Sequence, residues 1–208
     1  MIIMGNLVDL IKADVRYEDS LKACMNCGIC TAICPAAEFF DYDPRRICDM
    51  VQRGDEDSIE KLLRSDTIWY CGQCMSCKTR CPRGNVPGAV INILRSVSQN
   101  MGYYKDSRLG RQQEELAEGV GQNIVDIGYC VHPDRVLPSK HPEQGPVWEW
   151  YIKNIEEVAP KFGANYHGEG AGALRTISPE TMDELRKIFD VTGGTEFREM
   201  LKKGKNQK

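Results

Sequence analysis

Two cysteine blocks of identical spacing dominate this sequence of 208 residues. Cys24, Cys27, Cys30 and Cys34 followed by Pro35 form the first; Cys71, Cys74, Cys77 and Cys81 followed by Pro82 form the second. Both read C-x2-C-x2-C-x3-C-P, the one clear internal repeat of the chain. Three thiolates at x2 steps let a short loop wrap one side of an iron–sulfur cube. The fourth, one residue further on and followed by proline, reaches the other cluster in two-cluster ferredoxins. The spacing therefore predicts Cys24, Cys27, Cys30 and Cys81 on one [4Fe–4S] cluster and Cys71, Cys74, Cys77 and Cys34 on a second. Each proline fixes φ and removes a backbone donor, ending the loop at the crossing ligand. Gly28 and Gly72 are expected to let backbone N–H groups approach the cluster sulfurs. Zinc is the plain alternative. A tetrahedral zinc site uses two C-x2-4-C pairs and explains neither the third x2 step nor the repeated Cys-Pro.

Composition narrows the reading. The chain holds ten cysteines, which in a small secreted protein would read as a disulfide framework. The opening Met1-Ile2-Ile3-Met4-Gly5-Asn6 has neither a basic nor an apolar signal segment, so a cytoplasmic setting and metal or redox chemistry are expected instead. Lys and Arg total 27 against 30 Asp and Glu, so no basic excess points to nucleic acid. No run approaches the roughly 18 apolar residues of a membrane span. Cys48, within a helical pattern with Ile47, Met50 and Val51, reads as a small buried hydrophobe, with a thiol beside a cluster as the rival reading. Cys130 reads as a loop thiol of open role. His132, His141 and His167 stand beside Pro or Gly in expected loops, and no helical pair points to a histidine metal site. Gly168–Ala173 is G-x-G-x-G, not a dinucleotide fingerprint, and reads as a flexible loop. Lys78, Arg80 and Arg83 cluster near the second motif, where they could offset cluster charge, dock an acidic partner, or form a solvated face.

The pattern predicts an all-α fold. Asp43-Pro44 starts a helix that Gly54 ends. Ser58–Arg64 reads as a second helix. Asn85-Val86-Pro87 opens a third with Val90, Ile91, Leu94, Val97 and Met101 on one face. Leu7, Val8, Leu10 and Ile11 predict a short amphipathic helix near the start. Beyond the motifs, Leu109–Ile127 reads as helix interrupted by Gly119 and Gly121, and 128–146 as a long surface loop. A helix from Pro146 carries Trp148, Tyr151, Ile152, Ile155 and Ala159 and stops at Pro160; Trp148 and Trp150 cannot share one face, so one should point outward. The segment Gly163–Gly172 reads as mobile. Ser178-Pro179 caps a final helix bearing Met182, Leu185, Ile188 and Phe189, ended by Thr192-Gly193-Gly194, with a frayed tail from Lys202 to Lys208. Residues 1–105 thus form the expected α-helical two-cluster ferredoxin domain, and 106–208 a helical, loop-rich C-terminal extension with a role in partner docking.

These residues resemble a known family, the C subunit of heterodisulfide reductase. Beyond the cysteines, the resemblance lies in Asp41-Tyr42-Asp43-Pro44-Arg45-Arg46, Leu63–Cys71, Cys81–Pro87, Leu94-Arg95 and the stretch Pro179–Phe189 with Thr192-Gly193. It covers about 18–105 well and the closing helix in part; the insertion at 106–175 is more similar to relatives from cytoplasmic sulfur-oxidising complexes. The resemblance implies an α-helical ferredoxin subunit with two [4Fe–4S] clusters. It would carry no catalytic site of its own and pass electrons between an A-type flavoprotein (HdrA-like) and a B-type cysteine-rich, thiol- or disulfide-handling subunit (HdrB-like). The chain has no adjacent Cys-Cys pair, so the cysteine-rich chemistry belongs to that partner. It lacks the C-x4-C-x2-C set of plant-type ferredoxins. A free-standing electron carrier is the other reading.

Overall fold

Asp43 accepts a hydrogen bond from the Arg46 N–H at 3.1 Å, Pro44 takes the first helical position, and Gly54 closes the helix at φ +71°. Those three choices set Pro44–Arg53 (α5 below) where the sequence places it. The computed structural model describes residues 6–205, with side chains as far as Leu201. The expectation about Met1–Gly5 and the last three residues of the expected tail lie outside the described residues.

The chain divides into two units, Met1–Gln113 and Glu114–Lys208. In the first, α1 (Leu7–Lys12), α2 (Tyr17–Ser20), α3 (Ile29–Ala32), α4 (Pro35–Phe39), α5 (Pro44–Arg53), α6 (Glu56–Arg64), α7 (Ser76–Arg80) and α8 (Pro87–Asn100) are followed by the start of α9 (Arg108–Leu116). No strand occurs among the described residues, and the fold is all-α as expected. α8 is the central element and packs against α1, α2, α5, α6 and α7. Its Val90, Ile91, Ile93 and Leu94 are fully buried, against Ile11 of α1, Val51 of α5, and Ile59 and Leu63 of α6. Each such side chain contributes about 1.5–3 kcal/mol relative to leaving it in water.

Local chemistry shifts several boundaries. Asp55 caps α6, which starts at Glu56 rather than Ser58. The Glu56 carboxylate also accepts the Leu7 and Val8 N–H groups at 2.8 and 3.0 Å, tying down the N-terminus of α1 across 48 residues and more. Met101 caps α8 instead of continuing its face, and the face holds Ser98 as well, whose hydroxyl donates to the Leu63 carbonyl at 2.7 Å. Pro35 does not simply end the first cysteine loop: it opens α4, with Cys34 as the N-cap residue.

In the second unit, the glycine interruption is a π-helical turn, Ala117–Gly121, that leads without a break into α10 (Gln122–Ile127). The helix expected from Pro146 is split at Asn154 into α11 (Gly145–Lys153) and α12 (Ile155–Val158), and Pro160 lies within a 3-10 turn rather than at a stop. Trp150 points outward at 56% exposure, while Trp148 donates its indole N–H to the Val136 carbonyl at 2.8 Å. The stretch Gly163–Gly172 is braced, not slack: the Asn165 side-chain amide donates to the Glu169 and Ala171 carbonyls, and its N–H to Ala173. Ser178 caps α13 (Pro179–Val191), but α13 is not the last helix. Gly193, at φ +80°, reverses the chain into α14 (Gly194–Lys205), so 202–205 of the expected frayed tail are helical. Leu201 of α14 is buried.

Candidate iron–sulfur centre

The two cysteine loops adopt one backbone shape. Asn26 and Gly28 in the first have φ of +60° and +82°; Gln73 and Met75, at matching positions in the second, have +55° and +58°. Left-handed conformations are costly for non-glycine residues and persist where the surroundings over-determine them. The counterpart of Gly28 is therefore Met75, and Gly72 has no left-handed role. The glycine that permits close approach at the second loop is Gly88. A Cβ there would stand 3.0 Å from Met75 Sδ and 3.7 Å from Cys77 Sγ. Its N–H donates to Cys77 Sγ at 3.4 Å from the first turn of α8, whose positive end favours a thiolate.

Each loop is held from behind by one long side chain. Gln52 of α5 accepts the Cys24 N–H at 2.6 Å and donates to the Cys24 carbonyl at 3.3 Å. Arg95 of α8 donates to the Cys71 carbonyl at 2.7 Å and to the Ile68 carbonyl at 2.9 Å. A third tie brings the second motif's end to the first loop. The buried Asn85 accepts the Lys22 N–H at 2.8 Å, Val86 donates to the Ser20 carbonyl at 2.8 Å, and the Asn85 N–H donates to Cys81 Sγ at 3.3 Å. Cys81 is thereby anchored beside the segment that leads into Cys24.

Two cavities follow. One is lined by Cys24, Cys27 and Cys30 together with Cys81. The other is lined by Cys71, Cys74 and Cys77 together with Cys34. Cys30 lines both, and α3 and α7, which carry Cys30 and Cys77, pack on one another. Among the described residues no three His, Cys, Asp or Glu side chains stand close enough to share a single metal ion. Thiols spread around a cavity suit a multi-iron cluster, whose ligands stand farther apart than those of one zinc ion.

Two of the motif thiols, those of Cys30 and Cys77, are poor anions as the protein alone presents them. Burial first, with Cys24 and Cys77 adding to it, pushes Cys30 up to about 11, and burial raises Cys77. Such ligands ionise when a metal centre takes the charge. Cys74, near the surface, is held below its ordinary value by the Ser76 hydroxyl, 3.5 Å from its sulfur. Asp43 is partly buried, which opposes ionisation, yet hydrogen bonds from Arg45, Thr31 and the Arg46 N–H win and lower its pKa to about 2. Because folding lowers this pKa, the stability it carries is present at neutral pH and is lost as pH falls from 3.8 toward about 2.

Cys48 is buried as expected, at 1% exposure, and it also lines the first cavity. Cys130 is exposed and lines neither cavity. Lys78 and Arg80 lie on α7, but Arg83 lines the first cavity, not the second. Gln52, Asn85, Gly88 and Tyr42 were not singled out from sequence as parts of the site. Only the Asp43-Pro44 cap and the nearness of Asn85 to Cys81 offered a local signal.

Residues 20–85 match the 4Fe-4S dicluster domain family. Over 180 residues the chain is 32% identical to the C subunit of the ferredoxin:CoB-CoM heterodisulfide reductase of Methanosarcina acetivorans, covering 82% of this chain and 68% of that one. It is 39% identical to the iron-sulfur C subunit, form 2, of the CoB–CoM heterodisulfide reductase of Methanocaldococcus jannaschii, over 67% of this chain and 70% of the relative. With the iron-sulfur C subunit of the Methanopyrus kandleri enzyme the identity is 33%, over 74% and 78%. The match to the Methanosarcina protein leaves out fewer residues than 106–175 contains, so part of that segment has a counterpart there. No helix among the described residues is long and apolar enough to cross a membrane. Two matched cysteine loops on an all-α frame, and relatives of this likeness and coverage, place the chain in the family of heterodisulfide reductase C subunits.

Proposed function

We propose that the chain is the electron-relay subunit of a heterodisulfide-reductase-like complex, with two [4Fe–4S] clusters bound by Cys24, Cys27, Cys30 and Cys81 and by Cys71, Cys74, Cys77 and Cys34. The observation that carries this reading is the pair of cavities, each lined by the first three cysteines of one motif and the last cysteine of the other, that share Cys30 as a common wall. Bound clusters supply one-electron chemistry without bond making. The protein's part is positional. Gln52 and Arg95 fix the backbones of Cys24 and Cys71, Asn85 holds Cys81 against the first loop, and Gly88 offers its N–H to Cys77. Pro44, Ile91 and Tyr42 keep water from the second cavity, and Pro82 and Pro87 line the first. Cys27 and Cys74 are exposed, which leaves each cavity one edge at the surface for a donor or an acceptor. All eight motif thiols serve as ligands in this reading, so it has no open iron for substrate. Thiol or disulfide chemistry falls to a B-type cysteine-rich partner, and electrons enter from an A-type flavoprotein.

The test is anaerobic purification of the tagged full-length chain from its own cells. A stoichiometric complex is expected, with a flavin-bearing protein and a cysteine-rich protein, in which reducing the flavin bleaches the iron–sulfur absorbance. Elution of the loaded chain as a lone species, with no flavin present, would instead mark it as a free carrier.

A further inference from the structure

Two buried side-chain polar atoms lack a hydrogen-bond partner among the described residues: the Tyr42 hydroxyl and the Trp69 indole N–H. Tyr42 is 3% exposed and lines the second cavity together with Cys71. A phenol is protonated at neutral pH, so the group is a donor. A buried O–H with no acceptor destabilises the fold unless something in the cavity accepts from it.

The two loop clamps break the symmetry further. Gln52 behind Cys24 is neutral; Arg95 behind Cys71 is a cation. Arg95 is half-buried, packs 5.3 Å from the Trp69 ring centroid, and makes no ion pair with a carboxylate among the described residues. The first cavity has cations on its lining too, Arg45 and Arg83. Arg45, however, is paired with Asp43 at 2.8 Å, and Arg83 is exposed, where water and salt screen it. Lys78 and Arg80, on the helix after the second loop, are likewise exposed and add little. Hydrogen bonds to sulfur, local charge and solvent exposure are the levers that set cluster potentials.

Resting on the two-cluster reading above, we propose that Tyr42 donates a hydrogen bond to the second cluster's sulfur at Cys71 and, with the Arg95 charge, makes that cluster the higher-potential one, so that electrons run from the first site to the second. Tyr42 and Arg95 are positioning residues in this role; neither reacts.

The experiment is a potentiometric titration followed by electron paramagnetic resonance on the anaerobically purified full-length holoprotein. In unaltered protein, the signal reduced at the higher potential is the one that Cys74→Ala abolishes. In Tyr42→Phe, with iron content unchanged, that couple alone falls by about tenfold in its reduction constant, about 59 mV for one electron. Arg95→Gln lowers the same couple. If neither couple moves in Tyr42→Phe, or the lower one moves, the proposal is wrong. Should Tyr42→Phe fail to hold iron, the unaltered protein still decides: a higher couple that survives Cys74→Ala overturns the proposal. A single couple with four irons in unaltered protein would overturn the two-cluster reading first, and this inference with it.

Discussion

Cys81→Ala is expected to remove about half of the iron, and adding Cys27→Ala to it is expected to remove almost none of what remains. Cys81 lies 47 residues beyond Cys34 in a separate motif, yet it lines the same cavity as Cys24, Cys27 and Cys30. Removing two ligands of one cluster destroys that cluster once. Cys81→Ala combined with Cys74→Ala should, by contrast, strip nearly all of the iron, because Cys74 lines the other cavity. Iron and acid-labile sulfide on anaerobically purified variants give the readout. If each motif filled its own cluster, the pattern would invert: Cys81 and Cys74 would behave as one site, and Cys81 with Cys27 would lose both. The non-additivity is the informative quantity, since a general loss of stability would not sort the pairs by cavity.

The second large effect is on stability. Ile91→Ala is expected to cost about 2–5 kcal/mol and to lower the thermal midpoint of the cluster-bearing unit by about 10 °C or more. Ile91 has no exposed surface and stands in the one buried layer that joins α1, α5, α6 and α8. It also lines the second cavity. Truncation therefore leaves a void between α8 and the second cysteine loop, in a layer with little freedom to collapse. Circular dichroism melts of the anaerobic protein measure the shift. A loss under about 1 kcal/mol would mean that α8 is not the element around which this unit is organised.

How far the sequence led depends on the range over which each signal acts. The cysteine spacing, the Asp43-Pro44 start, the Gly54 stop and the Ser178 cap are local, and the helices they predict are there. What escaped was long-range or depended on context. Gln52, Arg95 and Tyr42 are ordinary residues of polar or aromatic type, and only tertiary packing brings them onto Cys24 and Cys71. Gly72 drew attention because it is a glycine inside a motif, while the backbone put its strain at Gln73 and Met75. Gly193-Gly194 marked the end of one helix correctly but concealed the start of another, because a left-handed glycine reverses the chain without requiring a loop. The run Gly163–Gly172 looked slack by composition, and a single asparagine side chain braces it. Cys48 is the small buried hydrophobe that its helical pattern predicts, and only the tertiary fold reveals that it is also a cavity wall.

The most direct measurement of the central claim is an anaerobic reductive titration of the unaltered full-length chain, with iron and sulfide counted on the same sample. Two clusters in one chain predict about eight iron and about eight sulfide, and an uptake of about two electrons in two distinguishable one-electron steps. Four irons with one electron, or zinc with none, would contradict it.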